Sequence, residues 1–273
     1  RKMGCGASKA RTVVEPPAQP QAEQQGPSPG SLNGAQPFAI FRNTHEAFRS
    51  GLQQSIQVKI DAGDLKAAAE EWELFQKSLA VHMHCEEQSL FKTLKVDESQ
   101  VKEFQDEHEK GDELEKAVTE VLAGNDVEKA KIVFKEFLED FLHHLEHEEK
   151  VIPKLTMSCA PTPEARAQLI HTTILPAMME HKDFDQTISW TVRMLWTHGS
   201  TGNSPEVAAR AFIRGIQVDS DREQWDKIRP LCEAAVSPEG WAAMDQAFGV
   251  GGYSWCVGEQ RPGCASVDPD SCG

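Results

Sequence analysis

Seven of the ten histidines in this 273-residue chain fall between residues 45 and 147, and their placement is the first chemical signal in the sequence. Histidine is the side chain that most often binds metal ions in proteins. A single histidine in a helix is usually a surface residue, so each one needs a positional test. The test is whether the histidine continues the apolar face of its helix at steps of three and four residues.

Four segments pass this test, and each places one histidine on its apolar stripe. The first stripe contains Phe41, His45, Phe48, Leu52 and Ile56. The second contains Trp72, Phe75, Leu79, His82, Glu86 and Leu90. The third is shorter and contains Val101, Phe104 and His108. The fourth contains Phe134, Phe137, Phe141, His144, Glu148 and Ile152.

Two of these stripes carry a glutamate one turn after the histidine, Glu86 and Glu148. An ionised carboxylate in a core costs several kcal/mol unless it is paired or bound to a metal. Two such carboxylates facing four imidazoles would therefore need a compensating cation. The alternative interpretation, four histidines on solvated faces, would require the same coincidence in every segment. The pattern predicts a metal site.

The donor set exceeds the four ligands of a closed zinc site. It suits two metal ions bridged by carboxylates between facing helices, as in di-iron bundles. Nitrogen and oxygen donors without thiolate favour iron, with manganese and zinc as competing ions. Cys85 neighbours the site in sequence but lies off the stripe.

The elements that must position these residues are four amphipathic helices, predicted at 39–60, 64–95, 98–123 and 126–153. The breaks contain Gly63-Asp64, Val96-Asp97 and Gly124-Asn125-Asp126, which supply turn residues or helix N-caps. Short connections favour an up-down antiparallel bundle. We therefore expect an all-α fold.

The composition divides the chain into four parts. Residues 1–37 are rich in Pro, Gln, Gly and Ser and are expected to form a disordered tether. Residues 38–158 form the bundle, and 159–247 read as a further helical region in which Trp190 and Trp196 pack. Residues 248–273 are rich in Gly and Cys and are expected to be irregular.

Residues 38–158 resemble the hemerythrin-like (HHE cation-binding) domain. The resemblance rests on Thr-His-Glu-Ala-Phe-Arg at 44–49, the His-x-x-x-Glu-Glu runs at 82–87 and 144–149, and Asp-Glu-His-Glu at 106–109. It implies an antiparallel four-helix bundle that holds a non-haem di-iron centre. The ligands that it implies are the six residues on the stripes: His45, His82, Glu86, His108, His144 and Glu148.

The sequence also departs from dedicated oxygen carriers of that family. They have His-x-x-x-His in the third helix, where this chain has His108 and Asp112, and an Asp where this chain has Glu149. The pattern is closer to HHE-type sensors and iron-handling proteins. His147 or Asp112 could complete the ligand set, and His84 or Glu87 could orient ligands by hydrogen bonds. For His84 and Glu87 a solvated helix face is the favoured interpretation.

Residues 3–8, Met-Gly-Cys-Gly-Ala-Ser, match the myristoylation pattern if translation starts at Met3. Gly4 would carry the myristoyl chain and Cys5 is placed for palmitoylation, the second anchor that stable membrane binding requires. Lys9 and Arg11 add a weak basic contribution. We expect a eukaryotic, cytoplasmic protein bound peripherally to a membrane through this lipid anchor.

The net charge of −15 argues against nucleic-acid binding. Most of the acidity lies in residues 38–158, with 26 acidic and 15 basic side chains. No run of 18 or more apolar residues occurs. Seven cysteines, an odd number, are too sparse for a disulfide scaffold and favour a reducing compartment.

Together these features predict a di-iron protein that binds or senses O2 or a related small ligand, or handles iron, at a membrane. A ferroxidase or peroxide-consuming enzyme at the same centre is the alternative, and a metal-stabilised scaffold is a third. The sequence identifies no protein partner and no catalytic residue.

Overall fold

The structure, a computed structural model, describes residues 39–248, and these form nine helices with no β-strand. The predicted all-α class is confirmed. The first four helices form a bundle, and the other five pack against it or against one another. Three of the nine contain a π-helical turn.

The bundle helices are close to those predicted. Helix α1 comprises Ala39–Ser50, a π-helical turn Gly51–Ile56 and Gln57–Asp61. Helix α2 comprises Leu65–Cys85, a π-helical turn Glu86–Leu90 and Phe91–Thr93. Helix α3 is Glu98–Leu122 and helix α4 is Val127–Cys159.

Aspartate caps begin three of these helices where the sequence indicated breaks. The side chains of Asp64, Asp97 and Asp126 accept hydrogen bonds from the backbone N–H groups of Ala67, Ser99 and Lys129 at 2.9–3.0 Å. Each cap satisfies an N–H group that lacks a partner within its helix. These short, capped connections produce the expected alternation of helix direction.

The fourth helix is longer than predicted. The predicted segment ends at Pro153, and proline inside a helix has no N–H to donate and clashes with the preceding turn. Helix α4 instead continues through Pro153 to Cys159. Ile152 and Thr156 are fully buried on either side of the proline, and their packing holds the last turns in place.

The predicted stripes form the core. All of their members are buried except Val101, which is half-buried. Aromatic rings fill the space between helices: Trp72 stacks on Phe75 at 5.0 Å between ring centroids, and Phe137 stacks on Phe141 at 5.5 Å. This aromatic layer lies immediately beside the histidines.

The C-terminal region is helical throughout its described part. Helix α5 comprises Pro163–Leu169, a π-helical turn Ile170–Ile174 and Leu175–Glu180. The remaining helices are α6 (Phe184–His198), α7 (Pro205–Asp219), α8 (Arg222–Ala234) and α9 (Pro238–Phe248). Helix α6 packs on α1 and α2, so the region is part of the same body as the bundle.

Trp190 on α6 anchors that contact. Its ring lies 5.9 Å from Phe48 between centroids, and its indole N–H donates to Glu71 at 2.7 Å. Gly51 on α1 makes this approach possible, because a Cβ there would lie 2.5 Å from the Trp190 ring. Arg193 adds two hydrogen bonds to Glu71, at 2.7 and 3.2 Å. Trp190 therefore packs, as expected.

Trp196 also packs, against Gly240 of α9, where an added Cβ would lie 2.3 Å from the Trp196 ring. The predicted tether at 1–37 and the irregular tail at 248–273, apart from Phe248, lie outside the described residues. Among the helices of residues 39–248, none is both long enough and apolar enough to cross a membrane.

Candidate metal centre

The six residues on the helical stripes meet in the middle of the bundle, one or two from each helix. They form two overlapping groups whose candidate ligand atoms lie within 4.8 Å of one another. The first group contains His45, His82, Glu86 and Glu148. The second contains Glu86, His108, His144 and Glu148. The two groups share both glutamates, so the arrangement has room for a pair of ions.

Each glutamate turns one oxygen toward each histidine pair. Glu148 Oε2 lies 3.3 Å from His45 Nε2, and Glu148 Oε1 lies 3.3 Å from His144 Nε2. Glu86 Oε1 lies 3.1 Å from His82 Nε2, and Glu86 Oε2 lies 3.6 Å from His108 Nε2. Each carboxylate could therefore offer one oxygen to an ion beside each histidine pair.

Eight buried atoms at the centre of this cluster make no hydrogen bond in the described part of the chain. They are the Nε2 atoms of His45, His82, His108 and His144 and both carboxylate oxygens of Glu86 and Glu148. Buried polar atoms almost always have a partner, and each one without a partner costs about 1–3 kcal/mol. These eight atoms converge on one region and could all donate lone pairs to divalent cations, which would supply the partners that they lack.

The outer nitrogens of three histidines are held by a second layer of carboxylates. His45 Nδ1 lies 3.0 Å from Glu149 Oε1, and His108 Nδ1 lies 3.1 Å from Glu87 Oε1. His144 Nδ1 lies 2.7 Å from Glu107 Oε2. When Nδ1 donates to a carboxylate, the proton is fixed there and Nε2 is left with a free lone pair toward the centre.

Arg49 explains the His-x-x-x-Arg spacing in the first helix. Its guanidinium donates to both oxygens of Glu149, at 2.7 and 3.0 Å, and to Glu46 at 3.3 Å. Glu46 in turn accepts from the backbone N–H of Thr201, in the loop between α6 and α7, at 2.6 Å. The carboxylate that orients His45 is therefore fixed from the C-terminal region as well.

The pKa directions describe a cation site in its metal-free state. Burial and the neighbouring Glu148 carboxylate raise the pKa of Glu86 well above its usual value. Burial opposes the ionisation of Glu148, but the adjacent imidazoles of His144, His45 and His82 hold its pKa well below normal. Burial also opposes the charge on His144, yet Glu148 and Glu107 raise its pKa to about 10. Without a cation, Glu86 and His144 therefore keep their protons to a higher pH than usual.

His82 behaves in the opposite way. Burial is the largest effect on its imidazole and lowers its pKa to about 4, despite the nearby Glu148. Glu149 is held in its ionised form. Burial opposes its charge, but His45 and Arg49 lower its pKa to about 2. A neutral imidazole and an ionised outer carboxylate are the states that metal binding needs.

Four further residues were candidates to complete the ligand set or to orient ligands, and the structure places them differently: Glu87, His147, Asp112 and His84. Glu87 contacts His108 as described, so the interpretation as a solvated helix face is wrong for it. His147 binds Glu107 at 2.8 Å and is outside both four-residue groups. Asp112 is exposed and belongs to neither group, because it lies a turn beyond His108 on the outer side of α3. The ring of His84 lies 5.4 Å, between centroids, from that of His181, the residue that follows α5.

Sequence reasoning missed Glu107, which accepts from both His144 and His147. The only signal was its position next to His108 in an acidic helix. Such a residue looks like ordinary surface charge until the facing helix is known. Arg49 was noticed as part of a motif, but its role in holding Glu149 becomes visible only in the fold.

Two small cavities border the centre on opposite sides. One, of about 50 Å³, is lined by His82 and Glu86 together with apolar residues of α1, α2 and α5. The other, of about 20 Å³, is lined by His108 and His144, by the carboxylate-bearing residues Glu107, Glu115 and Asp140, and by apolar side chains of α2 and α4. One side of the centre is thus apolar and the other is rich in carboxylates.

The fold and the site define a class: a four-helix bundle with a paired histidine and glutamate cation site in its core. Residues 36–156 match the family model of the hemerythrin HHE cation binding domain. The family resemblance seen in the sequence is confirmed. Comparison of the chain with curated proteins and with solved structures gave no match.

Proposed function

We propose that this protein holds two iron ions in the bundle and uses them to bind or sense O2 or a related small ligand, or to handle iron. The observation that carries the proposal is the pair of four-residue groups sharing Glu86 and Glu148. Each ion would have two imidazole nitrogens and two carboxylate oxygens. Iron accepts such mixed donors and commonly takes more than four ligands, which leaves positions for a small molecule.

The proposed ligands are the six residues of these groups. His45 and His82 would hold one ion, His108 and His144 the other, and the two glutamates would bridge them. Manganese and zinc are the competing ions. A pair of iron ions held in this way supplies the electrons with which O2 is bound or reduced.

The protein's own contribution is orientation and exclusion of water. The outer carboxylates Glu87, Glu107 and Glu149 fix the imidazoles. Phe48 lies 5.3 Å from His82, and Phe41 lies 4.1 Å from His45, between ring centroids. These buried rings keep the inner side of the centre dry, which limits side reactions with water.

A second candidate function is a ferroxidase or peroxide-consuming enzyme. The observation that favours it is the carboxylate-lined cavity beside His108 and His144. Glu107, Glu115 and Asp140 there could carry protons or attract Fe²⁺ toward the centre. Burial raises the pKa of Glu115 to about 7, a value suited to accepting and releasing protons.

One experiment separates the two candidates. The iron-loaded full chain is exposed to air and then to argon while its absorption spectrum and its consumption of O2, peroxide and Fe²⁺ are followed. A spectrum that changes reversibly without turnover supports binding. Steady consumption of peroxide or Fe²⁺ that is lost in His144→Ala supports the enzyme. If the iron-loaded protein responds to none of these reagents, both candidates are contradicted.

We also propose that the protein is tethered to a membrane by acylation of Gly4 and Cys5, which lie outside the described residues. The support is the sequence pattern that begins at Met3. The test is fractionation of eukaryotic cells that express the chain from Met3. Gly4→Ala is expected to move the protein out of the membrane fraction, and Gly6→Ala is the matched control. A Gly4→Ala variant that stays with membranes contradicts the proposal.

A further inference from the structure

The cavity beside His82 is closed by a part of the chain that lies beyond the matched family domain. The domain match ends at residue 156, whereas Ile170, Ile174 and Met178 of α5 form the outer wall of the cavity. Its inner wall consists of Phe41, His82 and Glu86 of the bundle. The C-terminal region therefore shapes a space that directly borders the first group of candidate ligands.

Two π-helical turns face each other across this contact. Glu86 begins the turn Glu86–Leu90 in α2, and Ile170–Ile174 is the corresponding turn in α5. The Ser89 hydroxyl donates to the carbonyl of Thr173 at 3.2 Å and ties the two turns together. π-Helical turns are rare and occur often at functional sites. Here they widen both helices where the cavity lies.

The lining of the cavity carries almost no free polar groups apart from the candidate ligands. The hydroxyl groups of Ser78 and Thr187 donate to the carbonyls of Leu74 and Asp183, at 3.0 and 2.9 Å. The Cys85 thiol is buried. Away from His82 and Glu86, an ion or a strongly hydrated molecule would lose its water here without compensation.

The volume restricts the occupant further. About 50 Å³ is more than the roughly 10–15 Å³ of cavity space that one water molecule needs, and much less than the roughly 150 Å³ cavity that holds benzene. A dry cavity of this size accepts a molecule of two or three heavy atoms. We propose that α5 and the bundle together form a docking pocket for an uncharged diatomic gas, with Ile174 and Met178 setting its size.

This pocket deepens the proposed function, since it rests on a small ligand reaching the metal centre from this side. Its existence can nevertheless be tested without iron, because xenon binds dry apolar cavities. The probe is xenon, and its binding to the full chain, with and without zinc, is followed by the ¹²⁹Xe chemical shift. Ile174→Phe fills the cavity, and Met178→Ala enlarges it. Thr172→Phe, exposed on the same helix, is the matched control.

The expected result is saturable xenon binding that is lost in Ile174→Phe, kept in Thr172→Phe and strengthened in Met178→Ala. In the Fe²⁺-loaded protein, nitric oxide uptake by Ile174→Phe should be roughly tenfold slower at unchanged iron content. The proposed pocket is contradicted if the protein does not bind xenon. It is also contradicted if Ile174→Phe changes neither xenon binding nor nitric oxide uptake. If the chain holds no iron, the proposed function fails, and the xenon result alone decides the pocket.

Discussion

Glu86 and Glu148 face each other across the bundle core and are the two side chains that both candidate metal positions share. Each follows a histidine by four residues, Glu86 after His82 on α2 and Glu148 after His144 on α4. Their four oxygens lie 3.1–3.6 Å from the Nε2 atoms of four histidines. The histidines therefore divide into two pairs, and the glutamates connect the pairs.

The outer carboxylates should control metal affinity without binding metal themselves. Glu149→Gln and Glu107→Gln each remove the charge that orients His45 or His144, and losses of about 10- to 100-fold in affinity are expected. Competition with a chromophoric chelator measures this. Glu146→Gln, on the exposed face of α4, is the control and should have no effect. Equal affinities for all three variants would contradict the role assigned to the outer carboxylates.

Metal binding should release protons and strengthen as the pH rises. The pKa of His144 is about 10, so His144 carries a proton near neutral pH and must lose it to bind a cation. The raised pKa of Glu86 acts in the same direction. His82, whose pKa is about 4, contributes no proton at that pH. Calorimetric titration with Zn²⁺ in buffers of different ionisation enthalpy counts the protons. Affinity that is constant between about pH 6 and about pH 8 would argue against this assignment.

The Glu71–Arg193 ion pair should stabilise the docked C-terminal region above the acidic range. Burial opposes the charge on Glu71, but Arg193, Lys59 and Trp190 lower its pKa from 4.5 to about 2. Because the folded pKa is depressed, this stabilisation is full above about pH 4.5 and is lost as the pH falls toward 2. Glu71→Gln should lower the free energy of unfolding by about 2 kcal/mol at pH 7.

Denaturant unfolding at several pH values checks this expectation. The difference between Glu71→Gln and the parent should shrink as the pH falls below about 4.5. Glu73→Gln on the exposed side of the same helix is the control and should leave the free energy of unfolding almost unchanged. A Glu71→Gln protein as stable as the parent at pH 7 would mean that the ion pair contributes nothing to docking.

Two helical glycines should respond to alanine in opposite directions. Alanine normally stabilises a helix interior by about 1 kcal/mol relative to glycine. Gly111→Ala should follow that rule, because nothing lies within 4 Å of the added Cβ. Gly51→Ala should instead destabilise by about 1–3 kcal/mol, because its Cβ would lie 2.5 Å from Trp190. Thermal unfolding of both variants measures this, and a stabilised Gly51→Ala would contradict the close packing of α6.

Much of the bundle could be predicted because its pattern is local. The steps of three and four that place Phe137, Phe141 and His144 on one face follow from helix geometry alone. The aspartate caps marked three helix starts to within two residues. Pro153 misled the prediction of the end of α4, since tertiary packing of its neighbours outweighed the local preference.

The features that escaped prediction depend on contacts between distant segments. Glu107 and His144 are 37 residues apart in the sequence, and Glu107 orients His144 only because α3 packs against α4. The cavity beside His82 exists only because α5 packs against α2, and no periodic pattern marks Ile174 or Met178 as its wall. Spacing along one helix identifies a buried face, but it does not identify what will cover that face.

The measurement that tests the central claim most directly is the metal content of the purified full chain after anaerobic loading with Fe²⁺ and removal of excess metal. Two iron ions per chain are expected, because two four-residue groups share Glu86 and Glu148. His108→Ala should retain one, Glu148→Gln should retain neither, and His84→Ala should match the parent. A chain that holds no stoichiometric iron, manganese or zinc, or a His84→Ala variant that loses metal as His108→Ala does, would contradict the account.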